Sequence, residues 1–229
     1  MKIAIISDIH ANLGAFSAVL DDCFSNFNDI KFINLGDFVD YNMQPNEVIE
    51  ELIKLEDKVL VNIKGNHEKA LFDFGIEKFS SKRGVESNLF TRKILNETSW
   101  KYIKNTFDSF LELEIENKKI LCVHGSMTDI FWGKMTQEEM QKELYQKYDY
   151  VLSGHSHKPH FEKINNAIFI NPSSVGQPRN SNPKAQYAIL DLKKNEVDFR
   201  CVEYDIKAQQ ALFTDELDIY YKERLSKGI

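Results

Sequence analysis

The chain has 229 residues, a mass of 26.6 kDa and a hydrophobic content of 42%. A chain of this size can bury one sizeable core, so we expect a single domain that spans residues 1–229. Charged residues make up 28% of the sequence and the formal net charge is −6. This balance argues against a surface that wraps nucleic acid, because such surfaces are strongly basic.

The first apolar segment, MKIAIIS, is too short for a signal-peptide core or a membrane span. Asp8 and His10 interrupt it before either would be complete. The three cysteines, Cys23, Cys122 and Cys201, are widely spaced and form no C-x-x-C pair, which is typical of small core residues in a reducing compartment. These features predict a cytoplasmic protein without a membrane segment. The sequence carries no signal about its oligomeric state.

The first part of the chain alternates between strand and helix patterns. Strands are predicted at residues 2–7, 31–35 and 58–63, and helices at 13–24 and 45–56. Pro45 suits the first turn of the second helix. Near-continuous apolar strands separated by helices predict a mainly parallel sheet that is covered on both faces. The residues from 68 to 105 have a helical pattern with few boundary signals.

The second part is richer in strands. Thr136 and Glu139 have the spacing of a capping box and predict a helix over residues 138–148. The last stretch, residues 205–229, is predicted to be a solvent-exposed helical segment that covers the domain. Strands are predicted at residues 111–116, 118–125, 150–157, 160–164, 167–172, 185–192 and 196–204. Around a single core, this order favours two packed sheets with helices outside.

Five predicted strands end in the same kind of residue. Aspartate, asparagine or histidine follows each apolar run, and five of the six histidines belong to this set. The carboxyl ends of strands in an open α/β sheet are where ligands bind, so these residues should share one crevice. A single histidine after a strand usually caps or packs, but five at one edge predict a common site. The residues are Asp8, His10, Asp37, Asn66, His67, His124, His155 and His157.

Their side chains suit a pair of metal ions. Histidine nitrogens together with aspartate and asparagine oxygens, without a thiolate, favour Mn, Fe, Zn, Ni or Co. Six or seven ligands are too many for one such ion and predict two ions about 3.5–4 Å apart, bridged by a carboxylate. Asp37 is the predicted bridge, because a carboxylate can hold two cations and Gly36 lets the backbone approach closely.

Five short motifs of the sequence together resemble a known family. Asp8-x-His10, Gly36-Asp37, Gly65-Asn66-His67-Glu68, His124-Gly125 and Gly154-His155-x-His157 occur in this order over roughly residues 3 to 180. The ordered set resembles the calcineurin-like metallophosphoesterases. Residues 6–12, 36–47 and 171–179 resemble its small bacterial and archaeal branch of phosphodiesterases and diadenosine-tetraphosphatase-like proteins. The resemblance implies an α/β fold: a four-layer αββα sandwich, with two mixed sheets flanked by helices and a dimetal site at the strand C-terminal ends.

The resemblance also implies roles for individual residues. His67 matches the histidine that lies over the site as an acid toward the leaving group. Glu68 stands where Asp is frequent, and Ser173 where a Gly commonly precedes the Ser-Val pair. Manganese is the ion expected first. The implied ligands of one ion are Asp8, His10, Asp37 and His157, and those of the other are Asp37, Asn66, His124 and His155.

The expected function is a dimetal-dependent hydrolase of phosphate esters. The expected substrate is a small, nucleotide-like phosphorylated molecule: a phosphodiester, a nucleotide or a dinucleoside polyphosphate. A hydroxide that bridges the ions is the expected nucleophile. Arg179 is expected either to bind a second phosphate or non-bridging oxygen, or to be a surface arginine. Asn12 either binds the substrate or caps the helix that begins at Leu13. Asp40 and Tyr41 should border the pocket.

Two other functions remain open from the sequence. The same fold also serves as a protein-binding scaffold that has lost its catalytic groups, as in the retromer subunit that resembles these enzymes. A nucleotide sensor without turnover is the second alternative. Retention of His67 and of every implied ligand favours the enzyme over the scaffold.

Overall fold

Two five-stranded sheets form the centre of the structure, a computed structural model that describes residues 1–229. The first sheet has the strand order β10-β9-β1-β2-β3. Its three N-terminal strands are parallel, and β9 runs antiparallel to both β1 and β10. The strands are β1 (Lys2–Ile6), β2 (Ile30–Asn34), β3 (Val59–Asn62), β9 (Ala185–Asp191) and β10 (Glu196–Val202).

The second sheet has the order β4-β5-β6-β8-β7. Its three central strands are parallel to one another, and its two edge strands are antiparallel to their neighbours. The strands are β4 (Leu111–Ile115), β5 (Lys118–Val123), β6 (Tyr150–Ser153), β7 (Pro159–Ile164) and β8 (Ala167–Pro172). Both sheets are therefore mixed, as expected.

Eight α-helices complete the chain. They are α1 (Leu13–Asn26), α2 (Pro45–Lys54), α3 (Asn66–Ala70), α4 (Lys82–Ile94), α5 (Glu97–Asn105), α6 (Gln137–Met140), α7 (Ile206–Ala211) and α8 (Ile219–Arg224). None of these helices has both the length and the apolar character that crossing a membrane requires.

Alternation along the buried strands explains how the layers pack. In β1, Ala4 and Ile6 pack against the helices of the first layer, whereas Ile3 and Ile5 face the second sheet. A third cluster, which includes Phe169, covers the outer face of the second sheet. These three apolar layers lie between four layers of secondary structure, which confirms the αββα sandwich predicted from the sequence.

The helix predicted over residues 138–148 is much shorter in the structure. Thr136 does cap the backbone N–H of Glu139, at 3.2 Å, but α6 ends at Met140 and a single 3₁₀ turn follows. The Glu139 carboxylate accepts hydrogen bonds from Thr128 and from the buried Tyr145. Burial of the Tyr145 ring against the second sheet thus replaces the regular helix that the capping signal predicts.

The C-terminal residues also differ from the predicted exposed helix. They form two short helices, each opened by an aspartate cap, Asp205 for α7 and Asp218 for α8. Tyr221, Arg224 and Leu225 are buried, so this segment packs closely on the domain.

Cys23 and Cys122 are buried free thiols, as expected. Cys201 is exposed, because it alternates with inward-facing residues on the edge strand β10.

Candidate metal centre

The polar residues that follow the strands meet at one edge of the two sheets. The potential ligand atoms of Asp8, His10, Asp37 and His157 all lie within 4.8 Å of one another. Asp37 also belongs to a second group, with His124 and His155, whose potential ligand atoms likewise lie within 4.8 Å of one another. The structure thus brings six of the seven predicted metal residues into two groups that share one carboxylate.

Asn66, the seventh residue, lies beside the second group. Its Oδ1 is 3.0 Å from Nε2 of His124 and 2.9 Å from Nδ1 of His155. Asn66 is the first residue of α3 and is buried. Its side-chain oxygen therefore faces the same point as the two imidazoles.

Backbone carbonyl groups fix the orientation of three imidazoles. Nδ1 of His10, His124 and His157 each lies 2.6–2.9 Å from a main-chain oxygen, which can only accept a hydrogen bond. Each Nδ1 therefore carries the proton in the neutral ring, and the lone pair of each Nε2 points into the site. This outer hydrogen bond is typical of histidines that ligate metals.

The donor atoms fit divalent cations. Nε2 of His10 and Nε2 of His157 are only 3.1 Å apart, although both are acceptors in the neutral rings. Oδ1 of Asp8 is buried and makes no hydrogen bond. Neither Asp8 nor Asp37 has a lysine or arginine within 4.0 Å. Two buried carboxylates need positive charge beside them, because removing their own charge from water is costly. Carboxylate and imidazole donors suit divalent transition metals, which can supply that charge.

The protonation states in the ion-free protein agree with this assignment at His10 and His155. Burial lowers the pKa of His124, but the charge of Asp37 outweighs burial and raises that pKa to about 9, so this ring must lose a proton when metal binds. Burial alone would raise the pKa of Asp37, but the positive charges of His124 and His67 outweigh it and hold that pKa well below its usual range. Burial, followed by the charge of His124, lowers the pKa of His155 to about 3. Burial and the charge of His67 also lower the pKa of His10. His10 and His155 are thus neutral at pH 7, the form that binds metal.

Five of these residues have a left-handed backbone. Their φ angles lie between 48° and 65°, a region that non-glycine residues adopt rarely and at an energetic cost. Hydrogen bonds between the strand-end loops hold this conformation: the backbone N–H of Asp8 donates to Gly36 and that of His10 to Asp37. The five residues are Asp8, His10, Asp37, His155 and His157.

Two glycines bring the loops after β2 and β3 into contact. A Cβ atom on Gly36, whose φ is 96°, would lie 2.3 Å from the nitrogen of Gly65. A Cβ atom on Gly65 would lie 2.1 Å from Oδ1 of Asp37. The close backbone approach predicted at Gly36 is therefore present, and Gly65 is its partner.

Glu68 ties the same two loops together. Its carboxylate accepts hydrogen bonds of 2.8–3.1 Å from the backbone N–H groups of Gly65, Asp37, Phe38 and Val39. The sequence marked Glu68 only as a departure from a frequent Asp. In this chain the glutamate spans the gap from α3 to the loop that carries Asp37.

His67 lies next to the metal-ligand groups and outside both of them. Its Nε2 is 3.9 Å from Oδ2 of Asp37, and its Nδ1 is 2.7 Å from Oδ2 of Asp40. Burial lowers its pKa, but Tyr41, Asp37 and Asp40 outweigh burial and raise that pKa to about 10 in the ion-free protein. Asn88 donates a second hydrogen bond to Asp40. The sequence placed Asp40 at the border of the pocket but did not reveal this pairing.

Asn12 has the capping role in this structure. Its Oδ1 accepts from the N–H of Ala15, and its Nδ2 donates to the carbonyl oxygen of Gly176 and to Tyr204. The side chain is completely buried. These bonds engage the amide oxygen and the amide nitrogen within the protein, as the capping alternative expects.

Arg179 lies beside the centre on the loop after β8. Its backbone N–H donates to the carbonyl oxygen of His157 at 2.9 Å, and its Nε is buried without a hydrogen-bond partner. Ser173, on the same loop, has a φ of 76°, which explains why glycine suits this position. Ser173 is held by hydrogen bonds to Asn171 and His157.

Aromatic rings surround His67, and the sequence did not single out most of them. Tyr41 and Phe79 lie 4.5 and 4.9 Å from His67 between ring centroids. Trp132, from the loop of residues 127–135, packs edge-on against Phe79 at 5.2 Å and lies 6.3 Å from His155. Phe79 and Trp132 are both half-buried and form one wall beside the centre.

Comparison with known proteins agrees with this architecture. Residues 1–195 match the calcineurin-like phosphoesterase superfamily domain. The chain is 31% identical to the uncharacterized protein MJ0912 of Methanocaldococcus jannaschii, over 99% of this chain and 98% of that protein. It is 26% identical to phosphodiesterase MJ0936 of the same organism, over 86% and 96% of the two chains.

A solved structure extends the similarity to the whole chain. The crystal structure of a metallophosphoesterase from Sphaerobacter thermophilus superposes with a TM-score of 0.78 at 27% identity, covering 100% of both chains. Together with the domain match, this confirms the resemblance drawn from the five motifs. With a domain match over most of its length, the chain belongs to the calcineurin-like phosphoesterase superfamily and is a phosphoester hydrolase with a site for divalent metal ions.

Proposed function

We propose that this protein is a dimetal phosphodiesterase or nucleotide hydrolase that acts on small, nucleotide-like phosphate esters in the cytoplasm. The observation that supports it most is the sharing of Asp37 by two groups of potential ligands. A buried histidine beside the shared carboxylate supplies a proton donor.

Two sets of side chains would hold the ions. Asp37 would bridge them, and manganese is the proposed native metal. When bound, such a pair of ions supplies positive charge that stabilises the phosphate oxygens, and it lowers the pKa of water so that hydroxide can attack phosphorus. One set is Asp8, His10, Asp37 and His157, and the other is Asp37, Asn66, His124 and His155.

His67 would act on the leaving group. Asp40 accepts the Nδ1–H bond, so the second proton of the imidazolium is on Nε2, which faces the metal-ligand groups. A proton held there can pass to the departing alkoxide oxygen as the ester bond to phosphorus breaks. Asn88 and the burial of the pair keep the ring in this orientation.

The wall formed by Phe79 and Trp132 favours a substrate that carries an aromatic group. Both rings are half-buried, and they adjoin the proposed proton donor His67 and the proposed ligand His155. Nucleobases stack favourably on exposed aromatic side chains. A nucleotide ester fits this combination better than a simple alkyl phosphate does.

A protein-binding scaffold or a nucleotide sensor is the second candidate from the sequence. The hydrogen-bonded pair of His67 and Asp40 favours the enzyme over both alternatives, because binding alone requires no oriented proton donor. Phosphate-ester turnover is the property that separates them.

Elemental analysis and hydrolysis on one preparation test the proposal. We expect about two transition-metal ions per chain after loading, as a bridged site requires. Manganese-loaded protein should hydrolyse bis(p-nitrophenyl) phosphate, and prolonged chelation should abolish the rate and manganese should restore it. An unchanged rate after chelation would contradict the metal mechanism. Full metal loading without turnover on a panel of nucleotides and dinucleoside polyphosphates would favour the sensor.

A further inference from the structure

The ring of Tyr41 lies between a proposed metal ligand and the proposed proton donor. Its centroid is 4.4 Å from that of His10 and 4.5 Å from that of His67. The two imidazoles are themselves 4.8 Å apart between centroids, so the three rings form one cluster at the metal centre. A phosphate bound beside the ions, with its ester oxygen toward His67, therefore lies next to this tyrosine.

The hydroxyl of Tyr41 makes no hydrogen bond within the protein. Buried tyrosines usually find a partner for this group. Tyr41 is only 8% exposed, yet its hydroxyl oxygen is not cut off from solvent. The hydroxyl is thus free to bind a molecule that enters the site. In contrast, six of the nine tyrosines use their hydroxyl in a hydrogen bond within the protein, namely Tyr102, Tyr145, Tyr148, Tyr150, Tyr187 and Tyr204.

The backbone of Tyr41 has a conformation that a bulky residue rarely adopts. Its φ angle is 67°, and that of the preceding Asp40 is 69°. The loop is held in place from two sides. The backbone N–H of Tyr41 donates to Oγ of Ser87 at 2.7 Å, and the side chain of Asn42 donates to the carbonyl oxygen of His10 at 2.8 Å. Strained positions that the surrounding structure maintains are concentrated at functional sites.

Tyr221 fixes the plane of the Tyr41 ring. The two rings are stacked, with centroids 4.8 Å apart and an interplanar angle of 23°. Tyr221 belongs to α8, which lies beyond the residues that match the superfamily domain. The Tyr221 hydroxyl makes no hydrogen bond either, but its ring contacts Tyr41 and Tyr220 and no histidine. Of these tyrosines, only Tyr41 adjoins the histidines of the site.

The chemistry of the phenol group suits a phosphate oxygen. A phenol is a hydrogen-bond donor at neutral pH. A hydrogen bond to a charged oxygen is roughly twice as strong as one between neutral groups. A donor that is already oriented before the reaction also stabilises the charge that develops on phosphate oxygens in the transition state. The strained backbone and the stacked ring orient the hydroxyl of Tyr41 in this way.

We propose that Tyr41 is a further catalytic residue, whose hydroxyl donates a hydrogen bond to a non-bridging oxygen of the phosphate that is hydrolysed. His67 then acts on the oxygen that leaves, and Tyr41 acts on an oxygen that stays on phosphorus. This inference rests on the proposed function, which places that phosphate at the metal centre.

The test measures the binding of inorganic phosphate to the manganese-loaded protein by isothermal titration calorimetry. Tyr41→Phe removes the hydroxyl and keeps the ring. We expect it to bind phosphate about tenfold to a hundredfold more weakly than the wild type, the range for a hydrogen bond to a charged group. Tyr220→Phe is the matched control and should bind phosphate normally, because the half-buried Tyr220 packs against Tyr221 and not against a histidine.

Elemental analysis of the same preparations should show the wild-type metal content in both variants. Unchanged phosphate affinity in Tyr41→Phe, or an equal loss in Tyr220→Phe, would overturn the proposal. Metal loss in Tyr41→Phe would also overturn it, because the hydroxyl would then act on the ions. A loss of phosphate affinity in Tyr221→Phe but not in Tyr41→Phe would assign the bond to the other tyrosine.

Rates of hydrolysis give a second, independent measurement. Tyr41→Phe should lose the same factor in kcat/KM on bis(p-nitrophenyl) phosphate and on a nucleotide ester, because the proposed bond reaches an oxygen that both esters share. A larger loss on the nucleotide ester would place Tyr41 at the leaving group and contradict the assignment.

Two outcomes separate this inference from the proposed function. A wild type that hydrolyses bis(p-nitrophenyl) phosphate, with a phosphate affinity that is independent of Tyr41, removes the role of Tyr41 and keeps the proposed function. A wild type that hydrolyses none of the tested esters, with a phosphate affinity that depends on Tyr41, removes the proposed function and keeps Tyr41 as an anion-binding residue.

Discussion

Nδ1 of His67 lies 2.7 Å from Oδ2 of Asp40, and this bond determines which nitrogen of the ring faces the metal centre. Asp40 also accepts a hydrogen bond from Asn88, so its carboxylate is fixed from two directions. The ring of His67 therefore has one orientation, with Nε2 toward Asp37. A histidine held in this way can donate a proton at a defined position.

We predict that His67→Ala keeps its metal and its fold but loses turnover by ~10²–10⁴-fold, the usual range for a positioned proton donor. The loss should be larger for a nucleotide ester, whose ribose alkoxide needs a proton, than for a nitrophenyl ester, whose leaving group needs little protonation. Rates on both esters and metal content from one preparation check this expectation.

His160→Ala is the matched control for that experiment. His160 is the sixth histidine of the chain, and its side chain is 39% exposed on β7 beside Glu162. Its removal should leave both rates unchanged. Equal losses on both esters in His67→Ala would show that His67 acts on phosphate charge, and metal loss would place His67 among the ligands.

We predict that Asp37→Asn binds fewer metal ions and turns over more slowly. The substitution keeps the shape of the side chain but removes a negative charge shared by two groups of ligands. Elemental analysis after loading should show less than the wild-type content. Asp215→Asn, at an exposed position, is the control and should load normally. Wild-type metal content together with wild-type turnover in Asp37→Asn would exclude the bridging role.

We predict that Glu68→Gln destabilises the ion-free protein. One oxygen of the carboxylate becomes an NH₂ group, which cannot accept the backbone N–H bonds that now reach it. A buried donor left without a partner costs about 1–3 kcal/mol. Urea unfolding measures the change in the free energy of unfolding. Glu77→Gln, at an exposed position without an ion pair, should unfold as the wild type does. Equal stability of both variants would contradict the bridging of the loops by Glu68.

A fourth prediction concerns acid stability and a carboxylate outside the two metal-ligand groups, Asp22. Burial raises the pKa of Asp22, but hydrogen bonds from Arg200, Tyr187 and Asn26 outweigh burial and hold that pKa below its usual value. The charged carboxylate therefore stabilises the fold at pH values above the aspartate pKa of about 3.9 in the unfolded chain. This contribution is lost as the pH falls through the lower pKa of the folded state.

Asp22→Asn should accordingly be less stable than the wild type at pH 6, and the difference should shrink toward pH 3. Urea unfolding at both pH values measures it. Asp198→Asn is a suitable control, because Asp198 contacts the same arginine from an exposed position. If the free energy of unfolding falls by the same amount between pH 6 and pH 3 in Asp22→Asn and in the wild type, the charge of Asp22 does not stabilise the fold.

The sequence allowed the site to be located because strand ends are local signals. An apolar run ends where polar residues begin, and the carboxyl ends of parallel strands lie at one edge. Asp8, Asp37 and His124 could each be placed there without any knowledge of tertiary contacts. The two packed sheets could be predicted because the first part of the chain alternates between strands and helices, whereas the second part consists mainly of short strands.

Contacts between distant parts of the chain were not predictable in this way. The bond from Glu68 to the loop after β2, and the stacking of Tyr221 on Tyr41, depend on the path of the chain in space. Neither pair has a periodic pattern in the sequence. The short α6 has the same cause, because burial of Tyr145 overrides a local capping signal.

The contact between Gly36 and Gly65 has a consequence for metal selectivity. It joins main-chain atoms, so no side-chain rotation can widen or narrow the gap between the loops that carry Asp37 and Asn66. We expect this frame to keep its shape when metal is loaded, so that an incoming ion must match it in size. We therefore expect activity across a series of divalent ions to follow ionic radius, with an optimum fixed by the backbone.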